Sequence, residues 1–419
     1  MSLKDTFLQQ FPKQELGENY GIQQDALKAL NNLDFPTTRD EYWKYTRVNK
    51  ILKQSFSFEK VDQLPSVKDL LIPNLEATLL VFINGLYVDQ LSDIKKQQGL
   101  NIFSLEEATN RYSDFVKNNF GQHANYKDQI FTALNTAYHN EGIFINVDAN
   151  TILDYPIHIL HLTTSNSIVN SRNLFHLAKN SQAQIITTNH TIKNGVFINN
   201  VSEIVIEENA QLEHNLLQIP KNEIYQVNEI DVQQKNNSRY TQTTITIGGD
   251  IIRNNTNVSV DGTACETNLF GTYLAKNSQH IDNHTLIDHK QPHCESNELY
   301  KGIMDDKSTG VFNGKVFVQR AAQKTNAFQS NQNILLDDNA TINSKPELEI
   351  YADDVKCSHG STTGQLDEEA LFYLRSRGVS KENAKKLLVK AFTSDTLEKL
   401  SSEAVKEHVS ELIEESLDN

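Results

Sequence analysis

Cysteine is scarce in this sequence: Cys265, Cys294 and Cys357 are the three present among 419 residues. None of them belongs to a CxxC pair, which excludes a disulfide framework and the usual zinc-ribbon pattern. Long apolar runs are also missing, since the most apolar stretch, "LLVFI" from Leu79, falls far below the ~18 residues that cross a bilayer. The start "MSLKDTFLQQFPKQ" has no basic segment followed by an apolar run. We therefore expect a soluble protein of the reducing cytoplasm.

Basic residues are outnumbered, because 39 Lys and Arg against 54 Asp and Glu leave a net charge of -15. A field of this sign repels phosphate backbones and anionic lipid surfaces, and no basic patch interrupts it. The usual nucleotide-binding and acyl-transfer motifs, G-x-x-x-x-G-K-[ST], G-x-G-x-x-G and G-x-S-x-G, are also absent. We expect no nucleic-acid or membrane partner.

Alternation of apolar and polar residues begins after Glu141-Gly142 and continues over most of the remaining chain. Turn clusters such as Asn180-Ser181 and Asn209-Ala210 recur before the strands. Several of their intervals suit one or two rungs of a solenoid at ~15 to 30 residues per turn. Asn side chains can stack at such turns, and the region is too long for a sandwich of ~100 residues, so we favour a β-helix over a β-sandwich. Its ends would need capping or pairing.

Helical periodicity flanks the strands, which divides the chain into residues 1–140, 141–360 and 361–419. The first region holds helices, one of them capped by Ser104, and a β-hairpin signal at Asn84-Gly85.

The C-terminal region predicts three helices. The first ends at Gly378, and Ser380 caps the second. The predicted buried stripe of the second helix consists of Ala384, Leu387, Leu388, Ala391 and Phe392. The third helix carries its own apolar stripe of Val405, Val409, Leu412 and Ile413.

The densest group of metal-ligating residue types lies in "QHIDNHTLIDHKQPHCESNE". It contains His280, His284, His289, His293 and Cys294, which are ligand types that suit zinc or iron. The spacing matches no closed metal-site pattern, so a polar solenoid face is the favoured interpretation and a metal site the alternative.

Cys357 and His359 lie two residues apart and share a face if a strand continues through them. They could ligate iron, or the imidazole could lower the thiol pKa. From the residues alone, an inert buried thiol beside a surface histidine is the better interpretation. Arg172 and His176 would also lie on one face of a strand, and there a structural ion pair or a solvated strand face is favoured over a site.

Five stretches of the chain closely resemble the SufD branch of the SufB/SufD family, which serves iron–sulfur cluster assembly in the SUF system. They read "RDEYWKYT", "VFINGLYV", "SRNLFH", "PHCESNELYKGI" and "KPELEIYADDVKCSHGSTTGQLDEEALFYLRSRGVS", the last from Lys345 to Ser380, and they are spread so that the resemblance covers nearly the whole chain. The paralogous SufB branch lacks the Cys-Ser-His-Gly run and carries extra cysteines. One departure is Ser361, where many family members have alanine.

The resemblance implies a right-handed parallel β-helix with helical N- and C-terminal domains. It also implies a non-catalytic scaffold that pairs with SufB through the β-helix and docks the SufC ATPase through its C-terminal helices. No cofactor would be permanently bound, and a transient iron–sulfur cluster would form in the complex. The isolated chain could form a homodimer.

By the same resemblance, His359 contributes to cluster assembly at the SufB interface as an iron ligand, with Cys357 beside it as a weaker candidate. The principal cysteine ligand would come from SufB. The residues expected to dock the ATPase are Leu371, Tyr373, Leu374, Arg375, Arg377, Leu387 and Leu388.

Two other functions remain open on the sequence. One is a β-helix hydrolase or lyase that acts on a polysaccharide with carboxylates on one solenoid face. Against it, Asp pairs such as Asp305-Asp306 have the pattern of turns. The other is a homodimeric scaffold without any role in cluster assembly, since a solenoid edge can pair with its own copy.

Overall fold

Strands dominate the middle of the chain in the computed structural model, which describes residues 2–11, 21–56, 64–139, 141–220 and 223–418. The predicted N-terminal region, residues 1–140, therefore contains segments outside the described residues. Within it, the elements are α1 (Leu3–Leu8), α2 (Gly21–Asn32), α3 (Asn49–Leu52), β1 (Thr78–Ile83), β2 (Leu86–Tyr87), β3 (Leu100–Ser104), α4 (Leu105–Arg111), α5 (Ser113–Asn119) and α6 (Ile130–Tyr138).

The strand region and the C-terminal helices follow. The strands are β4 (Gly142–Val147), β5 (Ile157–Thr163), β6 (Ile168–Leu177), β7 (Gln182–Thr191), β8 (Val196–Ile206), β9 (Gln211–Gln218), β10 (Ile224–Gln234), β11 (Arg239–Ile247), β12 (Ile251–Val260), β13 (Glu266–Ala275), β14 (His280–His289), β15 (Glu295–Met304), β16 (Thr309–Val318), β17 (Asn326–Leu335), β18 (Thr341–Ile350) and β19 (Lys356–Gln365). The helices are α7 (Glu368–Ser376), α8 (Lys381–Leu397) and α9 (Glu403–Asp418).

From β4 onward the strands form a parallel β-solenoid in which odd-numbered and even-numbered strands build two separate sheets, and β1 and β2 extend the odd-strand sheet while β3 extends the even-strand sheet. Each turn of the chain adds one strand to each sheet. Glu266 of β13 pairs with Glu295 of β15, and Glu295 pairs in turn with Asn326 of β17. The predicted fold class, mainly β with a parallel β-helix between helical flanks, is confirmed. Of the two predicted repeat lengths, one or two rungs per interval of about 30 residues, the structure shows the first, since Asn180 and Asn209 stack on successive turns 29 residues apart.

Stacked asparagines line one corner of the solenoid. Asn150, Asn180 and Asn209 occupy the same corner in successive turns and have φ values of 61°, 62° and 59°. Nδ2 of Asn180 donates to Oδ1 of Asn150 at 2.7 Å, and Nδ2 of Asn209 donates to Oδ1 of Asn180 at 2.9 Å. Asparagine tolerates this left-handed conformation better than most residues, and its amide satisfies the neighbouring turn. The predicted stacking of turn amides is confirmed.

The solenoid interior is partly apolar and partly polar. Ile230 and Phe312 belong to its apolar core. Farther along, buried amides form a ladder across β10, β12 and β14. Asn228 donates to Asn254 at 2.7 Å, and Asn254 donates to Asn283 at 3.0 Å. Buried polar groups are tolerated when each is hydrogen-bonded in this way.

The two ends of the solenoid differ. At the N-terminal end, β2 pairs antiparallel with β1 and β3 pairs antiparallel with β4, so both sheets are covered. The β1–β2 turn is the predicted hairpin, with Asn84 and Gly85 both at positive φ. At the C-terminal end, β18 and β19 are the outermost strands of their sheets and carry no further strand in the described residues.

The N-terminal segment is attached to the even-strand sheet by a buried carboxylate. Glu203 of β8 accepts hydrogen bonds from the backbone N–H groups of Gly121, His123 and Ala124. It also pairs with Arg172 of β6 at 2.5 Å, and both side chains are fully buried.

The helices α8 and α9 pack on the outer face of the odd-strand sheet, where Val389 and Val405 join Ile245 and Leu274 in one apolar cluster. The N-cap of α8 at Ser380 is confirmed. Among the described residues, no helix is long and apolar enough to span a membrane.

The predicted buried stripe of α8 is wrong for Leu387 and Ala391, which are exposed, and Leu388 and Phe392 are only partly buried. The helix instead buries Ala384, Val389, Thr393, Thr396 and Leu397. Polar contacts to the sheet set this rotation. Thr396 bonds Thr272 at 2.5 Å, and Nζ of Lys301 donates to the carbonyl of Phe392 at 2.8 Å.

Candidate functional site

Cys357 and His359 both lie on β19, so the strand does continue through them and they share one face. Cys357 pairs with Ala327 and His359 pairs with Gln329 on β17, positions whose side chains point into the solenoid. Cys357 is partly buried against a small cluster that includes Val316, while His359 is exposed at the open end. The site is therefore the last rung of the solenoid interior.

The thiol of Cys357 is not activated. Burial raises its pKa above the ordinary value, so it remains protonated at neutral pH. The alternative in which the neighbouring imidazole lowers this pKa is wrong. The arrangement suits a structural thiol, because both a nucleophile and a metal ligand act as the thiolate, which a raised pKa disfavours.

Polar side chains continue inward from His359. Nε2 of Gln329 donates to Oε2 of Glu298 at 2.5 Å, and both residues are buried. Burial raises the pKa of Glu298 to about 7. On the neighbouring sheet, Oγ of Ser344 lies 2.7 Å from Oγ of Ser361, which links the last strands of the two sheets. The open end thus presents hydrogen-bonding groups rather than an apolar plug.

Both outermost strands are available for pairing. Residues of β18 are mostly half-buried, and nearly all residues of β19 are exposed. The free edge of each strand carries backbone N–H and C=O groups that form no ladder on that side. An exposed edge of this kind, here two strands of ten residues, is able to accept a further strand.

The four histidines of β14 and of the corner that follows it do not form a single cluster. His280 bonds Thr46 at 2.7 Å, while His289 is buried and bonds Ser296 at 2.9 Å. His293 occupies a corner turn with φ of 61°, in the same column as the stacked asparagines. Across the part of the chain that the structure describes, no group of three or more His, Cys, Asp or Glu side chains is arranged to hold a metal ion.

Asp282 organises the remaining contacts of this strand. It accepts hydrogen bonds from Thr46 at 2.5 Å and Arg253 at 2.7 Å, and it contacts His284 at 2.9 Å. Burial opposes its ionisation, but the charges of His284 and Arg253 hold its pKa below the usual range. Since Thr46 belongs to the N-terminal region, residues 1–140, this cluster attaches that region to the solenoid.

The two other cysteines are core residues. Cys265 and Cys294 follow the corner residues Ala264 and His293 and are buried in the main apolar cluster. Each thiol donates to a backbone carbonyl, Cys265 to that of Lys235 at 3.0 Å and Cys294 to that of Gly262 at 3.3 Å. Cys294 therefore belongs to the packing of the solenoid rather than to a site with the β14 histidines.

Arg172 and His176 are structural, as the sequence favours. Arg172 forms the buried pair with Glu203, and His176 bonds Oδ1 of Asn146 at 2.7 Å.

The helix α7 projects from the solenoid, and none of its residues is buried. The residues of α7 that were predicted to dock the ATPase differ in their exposure to solvent. Tyr373, Arg375 and Arg377 are exposed, whereas Leu371 and Leu374 are partly buried. On α8, Leu387 is exposed and Leu388 partly buried. The predicted end of α7 at Gly378 is confirmed by its φ of 91°.

Sequence reasoning missed Phe372, whose side chain is 74% exposed. The signal was present, because Phe372 and Tyr373 fall outside the apolar stripe that Ala370, Leu371 and Leu374 form. Aromatic side chains are enriched at protein interfaces relative to the rest of the surface, which makes the adjacent Phe372 and Tyr373 candidates for a contact surface.

These features define a β-solenoid protein with one capped end, one open polar end and an exposed C-terminal helix. The family model described as "SUF system FeS cluster assembly, SufBD core domain" matches residues 160–392, and the model described as "SufBD protein N-terminal region" matches residues 19–159. The chain therefore belongs to the SufBD family of iron–sulfur cluster assembly proteins.

Individual relatives agree with this assignment. An iron–sulfur cluster assembly SufBD family protein of Synechocystis sp. is 33% identical over 90% of this chain and 86% of its own length. The iron–sulfur cluster assembly protein SufD of Escherichia coli is 28% identical over 92% of this chain and 90% of its own length. The chloroplastic protein ABCI7 of Arabidopsis thaliana is 29% identical over 92% of this chain and 83% of its own length.

Proposed function

We propose that this chain is a non-catalytic scaffold subunit that joins a SufB-like partner at the open end of its solenoid and docks a SufC-like ATPase through its C-terminal helices. The observation that carries the proposal is the unpaired edge of β18 and β19, which holds Cys357 and His359 on its interior face. Family membership supports the role in cluster assembly, and it gives no support to a polysaccharide hydrolase or lyase.

In this proposal, β-strand pairing supplies the contact between the two subunits. Backbone hydrogen bonds along a free edge give affinity, and side chains on alternate positions give specificity. A nascent iron–sulfur cluster is the cargo of the joint site, where His359 contributes an imidazole ligand and the partner contributes a thiolate. Cys357, whose pKa burial raises, supports the site by packing.

ATPase docking is assigned to α7 and the adjacent surface of α8. The exposed aromatic pair Phe372 and Tyr373 supplies apolar area, and Arg375 and Arg377 supply positive charge in a chain of net charge -15. Aromatic and arginine side chains are enriched where protein partners bind.

Co-expression with SufB-like and SufC-like partners tests the proposal, with size-exclusion chromatography and light scattering as the measurement. A stable hetero-complex is expected. A chain that remains a monomer, or that forms only a homodimer in the presence of both partners, would contradict the proposal.

His359→Ala tests the cargo site within that complex. We expect the complex to assemble normally and the yield of iron and acid-labile sulfide per complex to fall at least about tenfold, the scale on which metal sites lose activity when a supporting group is removed. Ser361→Ala, two residues along the same face, is the matched control. An unchanged cluster yield in His359→Ala would remove this residue from the site.

A further inference from the structure

Three interior side chains of successive turns form one column behind the open end. Glu298 of β15 pairs with Gln329 of β17, and Gln329 pairs with His359 of β19. Neighbouring strands lie ~4.8 Å apart, and all three side chains stand on the same interior face, so each is within reach of the next.

Only one of the two polar atoms of the Gln329 amide forms a hydrogen bond in the structure. Its Nε2 donates to Glu298, whereas its Oε1 is buried and has no hydrogen-bond partner among the described residues. A buried acceptor without a donor is destabilising, so a donor that reaches it is favoured. Gly314 of β16 makes room for this amide, since a Cβ there would clash with Nε2 of Gln329.

We infer that Gln329, held by Glu298, is a positioning residue for His359. When the exposed ring of His359 turns inward, one of its ring N–H groups donates to the unpaired Oε1 of Gln329, and the lone pair of the other ring nitrogen is left for the cargo. Histidines that bind metals generally donate their second ring N–H to an oxygen acceptor, which selects the tautomer and raises the basicity of the ligand. The cargo part of this inference rests on the proposed function.

The tautomer of His359 tests the inference in the isolated chain. Long-range ¹H–¹⁵N spectra of ¹⁵N-histidine-labelled protein report it, and His359→Ala assigns the signal. We expect one dominant tautomer in the wild type, a mixture of both in Gln329→Met, and recovery of the single tautomer in Gln329→Glu, which keeps an oxygen acceptor. Ser361→Ala is the control and should match the wild type.

Equal tautomer populations in the wild type and in Gln329→Met would overturn the inference. If Gln329→Met fails to fold by circular dichroism, Gln329→Asn replaces it, because that variant keeps the amide but withdraws it by one methylene. Within the partner complex, Gln329→Met should also lower cluster yield about 10- to 100-fold. A normal yield in His359→Ala would defeat the proposed function alone, since the tautomer measurement needs neither partner nor cluster.

Discussion

Glu298 is a buried carboxyl group in the polar part of the solenoid interior, and its protonation makes stability depend on pH. Its carboxyl group is buried, it accepts a hydrogen bond from Gln329, and burial raises its pKa from the usual 4.5 to about 7. The folded state therefore holds a proton that the unfolded chain releases at lower pH. Stability from this group is fully present below about pH 4.5 and is lost as the pH rises through about 7.

Glu298→Gln isolates this effect. The variant keeps an acceptor for Gln329 but cannot ionise. The difference in unfolding free energy between the variant and the wild type should therefore shift in favour of the variant by about 2 kcal/mol from pH 5.5 to pH 8. Urea denaturation of both proteins at the two pH values measures the gap. A gap that does not change with pH would show that Glu298 does not titrate in this range.

The residues of the site were predictable to different degrees. The shared face of Cys357 and His359 follows from a spacing of two in a strand, and the structure agrees. Gln329 and Glu298 were missed, because each lies a full solenoid turn from the next residue of the column. The repeat of the turn clusters was the signal that would have aligned them, but the register of each turn depends on its corner length.

At the scale of elements, strands and caps were easier to predict than the rotation of a helix. Ser104 and Ser380 cap α4 and α8 through local hydrogen bonds, which the sequence specifies by itself. The buried face of α8 depends on the sheet beneath it, where Lys301 and Thr272 provide polar anchors.

Two leucines on α8 test its rotation. Leu397 is 6% exposed and Leu387 is 49% exposed. Leu397→Ala should cost about 2–5 kcal/mol of unfolding free energy, because it leaves a cavity in the helix–sheet cluster. Leu387→Ala should change it by no more than about 0.5 kcal/mol. Equal losses of unfolding free energy in chemical denaturation would contradict this rotation of the helix.

Phe372 tests the docking surface on α7. Phe372→Asp should weaken binding of the SufC-like ATPase at least tenfold, about 1.4 kcal/mol, since it replaces an exposed aromatic anchor with a charge. Tyr42→Asp is the control, because Tyr42 is also exposed, at 60%, but belongs to the N-terminal region. Calorimetric titration measures both, and equal affinities for the Phe372 variant and the wild type would place docking elsewhere.

The whole molecule is asymmetric along its solenoid axis. Antiparallel strands β2 and β3 cover one end, whereas β18 and β19 leave the other end unpaired within the described part of the chain. Exposed parallel edges invite aggregation unless a partner covers them. The helices α8 and α9 do not cover that unpaired edge, because they pack on the outer face of the odd-strand sheet.

Hydrogen exchange tests which end receives a partner. On binding of the SufB-like protein, amide protection should rise in Thr341–Ile350 and Lys356–Gln365 by at least tenfold, because edge N–H groups gain ladder partners. Peptides that contain β2 and β3 serve as the internal control and should not change. Increased protection confined to β2 and β3 would show that the partner binds the opposite end of the solenoid from the one proposed.

The sequence by itself determined the alternation of the strands, the corner asparagines, the hairpin at Asn84-Gly85, the helix caps and the pairing of Cys357 with His359 on one face. All of these depend on residues close together in the chain. Only the tertiary structure decided the register of the turns, the face that α8 buries, and the column that brings Glu298 and Gln329 behind His359. These depend on contacts across a whole turn or more, where small differences in corner length change which side chains meet.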